Sequence, residues 1–231
     1  MITVRKSEER GQADHGWLQT QHTFSFADYY DLAHMNFRSL RVINEDVVAP
    51  KKGFGAHPHK DMEILTYILE GTLEHKDNMG NTSQMKAGEF QLMSAGLGVK
   101  HSEYNPSSKE KVHLLQIWIL PKEKGITPNY QQKSFASHKD GFQLVVSPDG
   151  AEGSLRIHQD AKVYLGRFEA ERKAMVPIAI NRYAWIQVTR GEVSVDGIFL
   201  KSGDGAHFLL AKEAISVEPK TKAEILLFDL G

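Results

Sequence analysis

The chain repeats itself, and the repeat limits what it can fold into. The segments "ILTYILEGTLEHKD" and "MKAGEFQLMSAGLGVKHSEYNP" have counterparts in "AWIQVTRGEVSVDG" and "LKSGDGAHFLLAKEAISVEP". Each copy runs an apolar strand into a charged residue plus Gly at a turn (Gly71, Gly191), then a second strand, then Lys-x-Gly at another turn (Gly88, Gly203). From about residue 36 onward, short runs rich in Val, Ile, Leu, Tyr and Phe alternate with Gly, Asn, Asp, Ser and Pro. That is the punctuation of antiparallel β-structure, and it leaves little room for helices. The fold is expected to be all-β, with two domains of one design, each a sandwich or barrel of antiparallel strands. Their expected extents are residues 1–133 and 134–231, joined near "PNYQQKSFASHKDG". "DNMGN" reads as a hairpin turn, and the aromatic-rich "HTFSFADYYDLAHMNF" as a lid or extra strand packed over the core.

Composition narrows the chemistry. At 231 residues and 41% hydrophobic content, the chain can bury real cores. Its 28 Lys+Arg against 29 Asp+Glu give a formal net charge of −1, so no global field draws in nucleic acid or an anionic membrane. There are no cysteines, which removes disulfides, thiolate metal sites, iron–sulfur clusters and cysteine nucleophiles together. Any metal must be held by nitrogen and oxygen. The opening "MITVRKSEERGQADHGW" is charged from Arg5 onward and lacks the apolar core of a signal peptide, and the longest apolar run, "HLLQIWIL", is too short to span a bilayer. A cytoplasmic protein without a membrane partner is expected. The triplet "NTS" at Asn81 is read as an accidental match to the glycosylation pattern.

Two stretches carry chemistry. In "FGAHPHKDMEILTYILEG", His57 and His59 stand two apart on a strand-like segment, so both imidazoles point to one face with Cα atoms roughly 6.5 Å apart. In "GEFQLMSAGLGVKHSEYN", His101 and Glu103 repeat that spacing. If the two strands are neighbours, three imidazoles and a carboxylate converge, a set that suits Fe(II), Mn, Co, Ni, Cu or Zn. The spacing does not choose among these ions, although cysteine-free ligation with spare positions favours redox-capable iron. His113 is read as a structural histidine or a hydrogen-bond partner behind the ligands. His22, His75, His138, His158 and His207 show no same-face partner and are taken as surface or packing residues. "SAGLGVK" lacks the Gly-Lys-Ser/Thr ending of a phosphate loop and feeds a strand.

These two stretches resemble the paired motifs of the cupins, a Gly-rich approach to His-x-His followed by Gly-x5-Pro-x-Gly-x2-His-x3-Asn. Here the second runs Gly88, five residues, Ser94-Ala95-Gly96, four residues, His101, three residues, Asn105. Ser replaces Pro, and the spacer before His is two residues longer. Together with "HTFSFADYYD" and "QIWILP", this pattern is similar to the pirin branch, with its bicupin plan, over nearly the whole chain. The resemblance implies a metal held by His57, His59, His101 and Glu103. Other cupins take their Glu from the first motif, where Glu63 stands with the strand parity of His57 and His59, so Glu63 is expected beside the site as a hydrogen-bond partner or substitute ligand. The second repeat lacks the histidine pair and is expected to be a structural domain without a metal.

Four protein ligands on an octahedral ion leave two positions open, and three neutral imidazoles with one carboxylate leave a divalent ion at about +1, so an anionic oxygen is favoured. Pirins are associated with quercetin 2,3-dioxygenase activity, in which a flavonol binds through its 3-hydroxyl oxygen. The resemblance therefore implies a metal-dependent dioxygenase of flavonol-like substrates using dioxygen, with one divalent transition metal, Fe(II) foremost, and with Glu103 or Glu63 as the base. From a different class, it also implies a redox-responsive regulatory protein with a protein partner. A monomer is expected, since two domains of one type can satisfy the interface that single-domain cupins satisfy by dimerising.

Overall fold

The computed structural model describes residues 2–138, 140–209 and 215–231. The chain divides into two compact units, Gly11–Ala136 with Ile157–Gln159, and Met1–Arg10 with Ser137–Arg156 and Asp160–Gly231.

The strands begin with Ile2–Arg5 (β1), Gly11–Asp14 (β2), Leu18–His22 (β3), Leu40–Val48 (β4), Gly53–His59 (β5) and Glu63–Glu70 (β6). Thr72–Asp77 (β7), Thr82–Lys86 (β8), Glu89–Ser94 (β9), Val99–Tyr104 (β10), Val112–Ile119 (β11) and Asn129–Ser134 (β12) complete the earlier unit. There, β12-β9-β6-β11-β4-β3-β2 form a seven-stranded sheet and β5-β10-β7-β8 a four-stranded one. Paired side chains on one face of the large sheet bring Leu18, Val48, Ile68 and Leu114 against Leu73 and Met85 of the small sheet, which is the cupin sandwich.

The hairpin β6–β7 turns at Gly71 with φ +79°, where a Cβ would run into the Lys111 carbonyl, so glycine is required on both counts. Asn105 closes the far end of β10. Buried, its Nδ2 donates to the carbonyls of Val48 (3.1 Å), Ala49 (3.2 Å) and Glu110 (2.9 Å), while its Oδ1 accepts from Ser107 N (3.0 Å). This last residue of the second motif thus ties the end of β4 to the segment before β11.

The later unit runs through Gly141–Ser147 (β13), Leu155–Arg156 (β14), Ala161–Phe168 (β15), Ala174–Met175 (β16) and Tyr183–Arg190 (β17). It continues with Glu192–Val195 (β18), Ile198–Lys201 (β19), Gly205–Leu209 (β20), Ser216–Pro219 (β21) and Ala223–Leu230 (β22). Its sheets, β1-β20-β17-β22-β15-β13-β14 and β16-β21-β18-β19, repeat the seven-plus-four plan. Gly191 turns β17 into β18 at φ +75°, as Gly71 does in the first copy, and Gly88 and Gly203 match at φ +84° and +86°. The interior is filled by Ile186, Val188, Val193, Leu200, Val217 and Ile225, all at most 1% exposed. Residues 210–214 of the second repeat lie outside the described residues.

The division differs from the expected 133/134 join in two ways. The boundary falls after Ala136, and the first residues go with the later unit, because β1 pairs along its length with β20, Ile2 opposite Phe208 and Arg5 opposite Gly205. Antiparallel pairing with a distant strand leaves no local trace in sequence.

Candidate metal centre

The His-x-His segment is β5, the edge of the four-stranded sheet. An edge tolerates Pro58, whose missing N–H would cost a ladder bond inside a sheet. At Gly53 the backbone meets β10 so closely that a Cβ would collide with the Glu103 carbonyl. Register then does the rest: His57 stands opposite His101 and His59 opposite Val99, with a bulge before Glu103. His57, His59 and His101 offer ring nitrogens within 4.8 Å of one another, and a second such set, His75, His101 and Glu103, shares His101. The four residues expected from the motifs therefore meet at His101, and His75 joins them.

Hydrogen bonds fix which nitrogens face the centre. Asp77 Oδ2 lies 3.0 Å from His75 Nε2, so that nitrogen carries the proton and His75 Nδ1 accepts. His101 Nδ1, 3.3 Å from His75 Nδ1, is then the donor. His57 Nδ1 donates to the Gly55 carbonyl at 2.7 Å. Both Nε2 atoms, of His57 and of His101, are left with bare lone pairs, and they face each other at 3.1 Å. Two lone pairs at that distance repel unless a cation lies between. Two ligands at about 2.1 Å from an ion and at right angles to it would stand about 3.0 Å apart. Burial, reinforced by the neighbouring imidazoles, holds His59 down to about 4 and His101 to about 3, so both rings are neutral and ready to ligate at pH 7.

Glu103 is buried at 2% exposure, its Oε2 accepting from Gln116 Nε2 at 2.8 Å and its Oε1 without a partner. Burial, with the Asp46 carboxylate adding to it, pushes its carboxyl up to about 7. The donor set, neutral imidazoles and one orphaned carboxylate oxygen, fits a divalent transition metal.

Above this cluster lies a cavity of about 210 Å³. Leu18, Phe54, Phe26 and Trp118 supply its apolar wall, and Thr20, Asp46 and Gln116 also line it. Trp118 stands edge-on to both His59 (5.0 Å) and Phe26 (5.3 Å). Phe26 and Ala27 come from the aromatic-rich N-terminal stretch, expected from the sequence to pack over the core, which here supplies part of the cavity wall.

Glu63 is elsewhere. The cavity residues Gln116 and Trp118 stand opposite Thr66 and Ile64, whereas Glu63 stands opposite Ile119 and Ser94, on the other face of the seven-stranded sheet. Its Oε2 accepts from Ser94 Oγ at 2.9 Å, and His158 Nδ1 lies 3.5 Å from its Oε1. The parity argument that put Glu63 with His57 and His59 fails because the strand breaks between them: Asp61, at φ +49°, ends β5, and β6 opens in the other sheet.

The other histidines divide. His75, expected as a packing or surface residue, is fully buried and stacked on Tyr130 at 4.8 Å, behind His101. His75 and Asp77 are themselves an i, i+2 pair on a strand, the same spacing as His57 with His59 and His101 with Glu103. His22 lines the cavity and is bonded to Asn44 Oδ1 at 2.8 Å. His113 points away from the cavity to Glu45 (3.0 Å), and His207 stacks on Trp185.

Residues 3–119 match the family model described as Pirin, and residues 144–230 the one described as Quercetinase C-terminal cupin domain. The chain is 54% identical over 230 residues to a protein of Escherichia coli named quercetin 2,3-dioxygenase, covering 100% of this chain and 99% of that one. It is 38% identical to a pirin-like protein of Caulobacter vibrioides, with 99% of each chain covered. Among solved structures, the bacterial pirin YhhW from Escherichia coli in complex with nickel(II) superposes with a TM-score of 0.95 at 54% identity, covering 100% of this chain and 99% of that one.

Proposed function

The chain belongs to the pirin family of cupins, and from that premise we propose that it is a metal-dependent dioxygenase that opens flavonol-like substrates. The observation that carries this reading is the facing pair of bare Nε2 atoms on His57, which lines an aromatic-walled cavity together with His59 and Glu103, and on His101 buried beside it. The Escherichia coli relative, 54% identical, carries the name quercetin 2,3-dioxygenase, and the pirin YhhW of that organism was crystallised with nickel(II).

His57, His59, His101 and Glu103 hold the metal, with Fe(II) as the working ion. When bound, the ion supplies a Lewis-acidic, redox-capable centre that favours an anionic oxygen. The protein's part is to seat and desolvate the substrate. Phe26, Phe54 and Trp118 take the flat faces and edges of an aromatic ring and exclude water. With Oε1 left for the ion, Glu103 takes the proton of the substrate hydroxyl on Oε2, beside Gln116 Nε2, so that the flavonol enters the reaction as its anion. Dioxygen then adds across the ring, which opens with loss of carbon monoxide. The protein works as a cytoplasmic monomer on this reading.

Anaerobically purified protein should contain about one metal per chain, consume quercetin in air and release one carbon monoxide per quercetin, and His101→Ala should lose both metal and turnover. Turnover surviving in a metal-free variant would overturn the mechanism. Bound metal without quercetin consumption would overturn the dioxygenase reading in favour of a metal-dependent regulatory protein.

A further inference from the structure

The cavity holds more unsatisfied polar atoms than the metal site uses. Asp46, from the middle of β4, lines it at 4% exposure, and its Oδ1 makes no hydrogen bond. Thr20, directly across on β3, lines it at 5% exposure, its hydroxyl close enough to Asp46 to offset part of the rise that burial imposes on that carboxyl. Trp118, the aromatic wall, buries an indole N–H that donates to nothing. None of the three belongs to the histidine cluster. A buried carboxylate oxygen and a buried N–H without partners, with a hydroxyl beside the carboxylate, are costly to fold and become complementary when a ligand brings the matching groups.

We propose that Asp46, Thr20 and Trp118 form a second recognition subsite, which takes a ring hydroxyl of the substrate other than the oxygens directed at the metal ligands. The inference rests on the flavonol reading for the class of substrate and adds which part of it is read. At about 210 Å³ the cavity is below the size that encloses a drug-sized molecule, so it takes one hydroxylated ring system and leaves the remainder outside. Asp46 Oδ1 accepts from the ring hydroxyl, Trp118 Nε1 donates to an oxygen on the same edge, and Thr20 Oγ1 serves either. Such a site rejects an analogue lacking the hydroxyl, because its buried acceptor is then left unpaired. Asp46 is thus a specificity residue, separate from the ligands that carry the chemistry.

The test is equilibrium binding without oxygen, read by quenching of tryptophan fluorescence in the metal-loaded protein. The probes are quercetin and 3-hydroxyflavone, which keeps the metal-directed oxygens and lacks the other hydroxyls. Wild type should prefer quercetin by about tenfold or more, the value of a hydrogen bond to a charged acceptor. At matched metal content, Asp46→Leu should collapse the preference for quercetin over 3-hydroxyflavone, Asp46→Asn should restore part of it, and Thr20→Val should lower it less. An unchanged preference in Asp46→Leu and Thr20→Val would overturn the subsite even if quercetin is consumed in air. An Asp46-dependent preference without consumption would uphold the subsite while the dioxygenase reading fails. Failure of wild type to bind either compound would overturn both.

Discussion

His57 Nε2 and His101 Nε2 face each other at 3.1 Å, and neither can donate to the other, because each ring has already spent its proton on the far side. The spending is imposed from outside the pair: Gly55 takes the His57 proton, while Asp77, through His75, commits that of His101. The apo fold is thereby pre-set for a cation.

The two glutamates separate cleanly. Glu103→Gln should lower metal content and affinity, while Glu63→Gln, on the opposite face of the sheet with Ser94 and His158, should retain wild-type metal content by elemental analysis. Equal loss in both would place Glu63 at the ion after all.

Metal binding should release a proton from Glu103. Its carboxyl is raised to about 7 in the metal-free fold, so below that pH it is protonated and must ionise to ligate, and affinity falls as pH falls. His59 and His101, depressed to about 4 and 3, are already neutral at pH 6 and add nothing to this count. Calorimetry at pH 6 in buffers of different ionisation enthalpy should find one fewer proton released by Glu103→Gln than by wild type.

His75 never touches the cavity, yet its loss should be felt there. His75→Phe keeps the stack on Tyr130 and removes the acceptor for His101 Nδ1. Metal affinity should drop roughly 10- to 100-fold, the usual cost of losing the group that orients a ligating imidazole. Competition with a chelator of known affinity measures it, and an unchanged constant would mean that His101 needs no such support.

Asn105→Ala should destabilise the fold by about 2–3 kcal/mol, since the carbonyls of Val48, Ala49 and Glu110 lose their shared donor in a buried site. Urea denaturation of the metal-free protein reads this directly, with an unchanged midpoint as the contrary result.

Much of this was legible in the chain. Gly71 and Gly191, and then Gly88 and Gly203, announce the repeat because each turn needs a left-handed residue that the sequence can supply only as glycine. The pairs at i, i+2 announce the cluster of His57, His59, His101 and Glu103 because a strand gives each pair one face. What stayed hidden depends on partners distant in sequence. Glu63 kept the right count but lost the face, since Asp61 turns the chain into another sheet between the two segments. The place of His75 depends on β10 lying beside β7, and that of Asp46 on a cavity lined from β3, β4, β5, β10 and β11 together. No pattern within either segment reports a neighbour or a void.

The outermost position of β5 has a mechanical meaning. With β10 on one side and no strand of its sheet on the other, the segment carrying His57 and His59 is held by a single ladder. An ion held by that segment and by His101, as proposed, would act as a rivet through the ladder, so that demetallation and peeling of this strand would become a single event and amide exchange along residues 53–59 a gauge of occupancy.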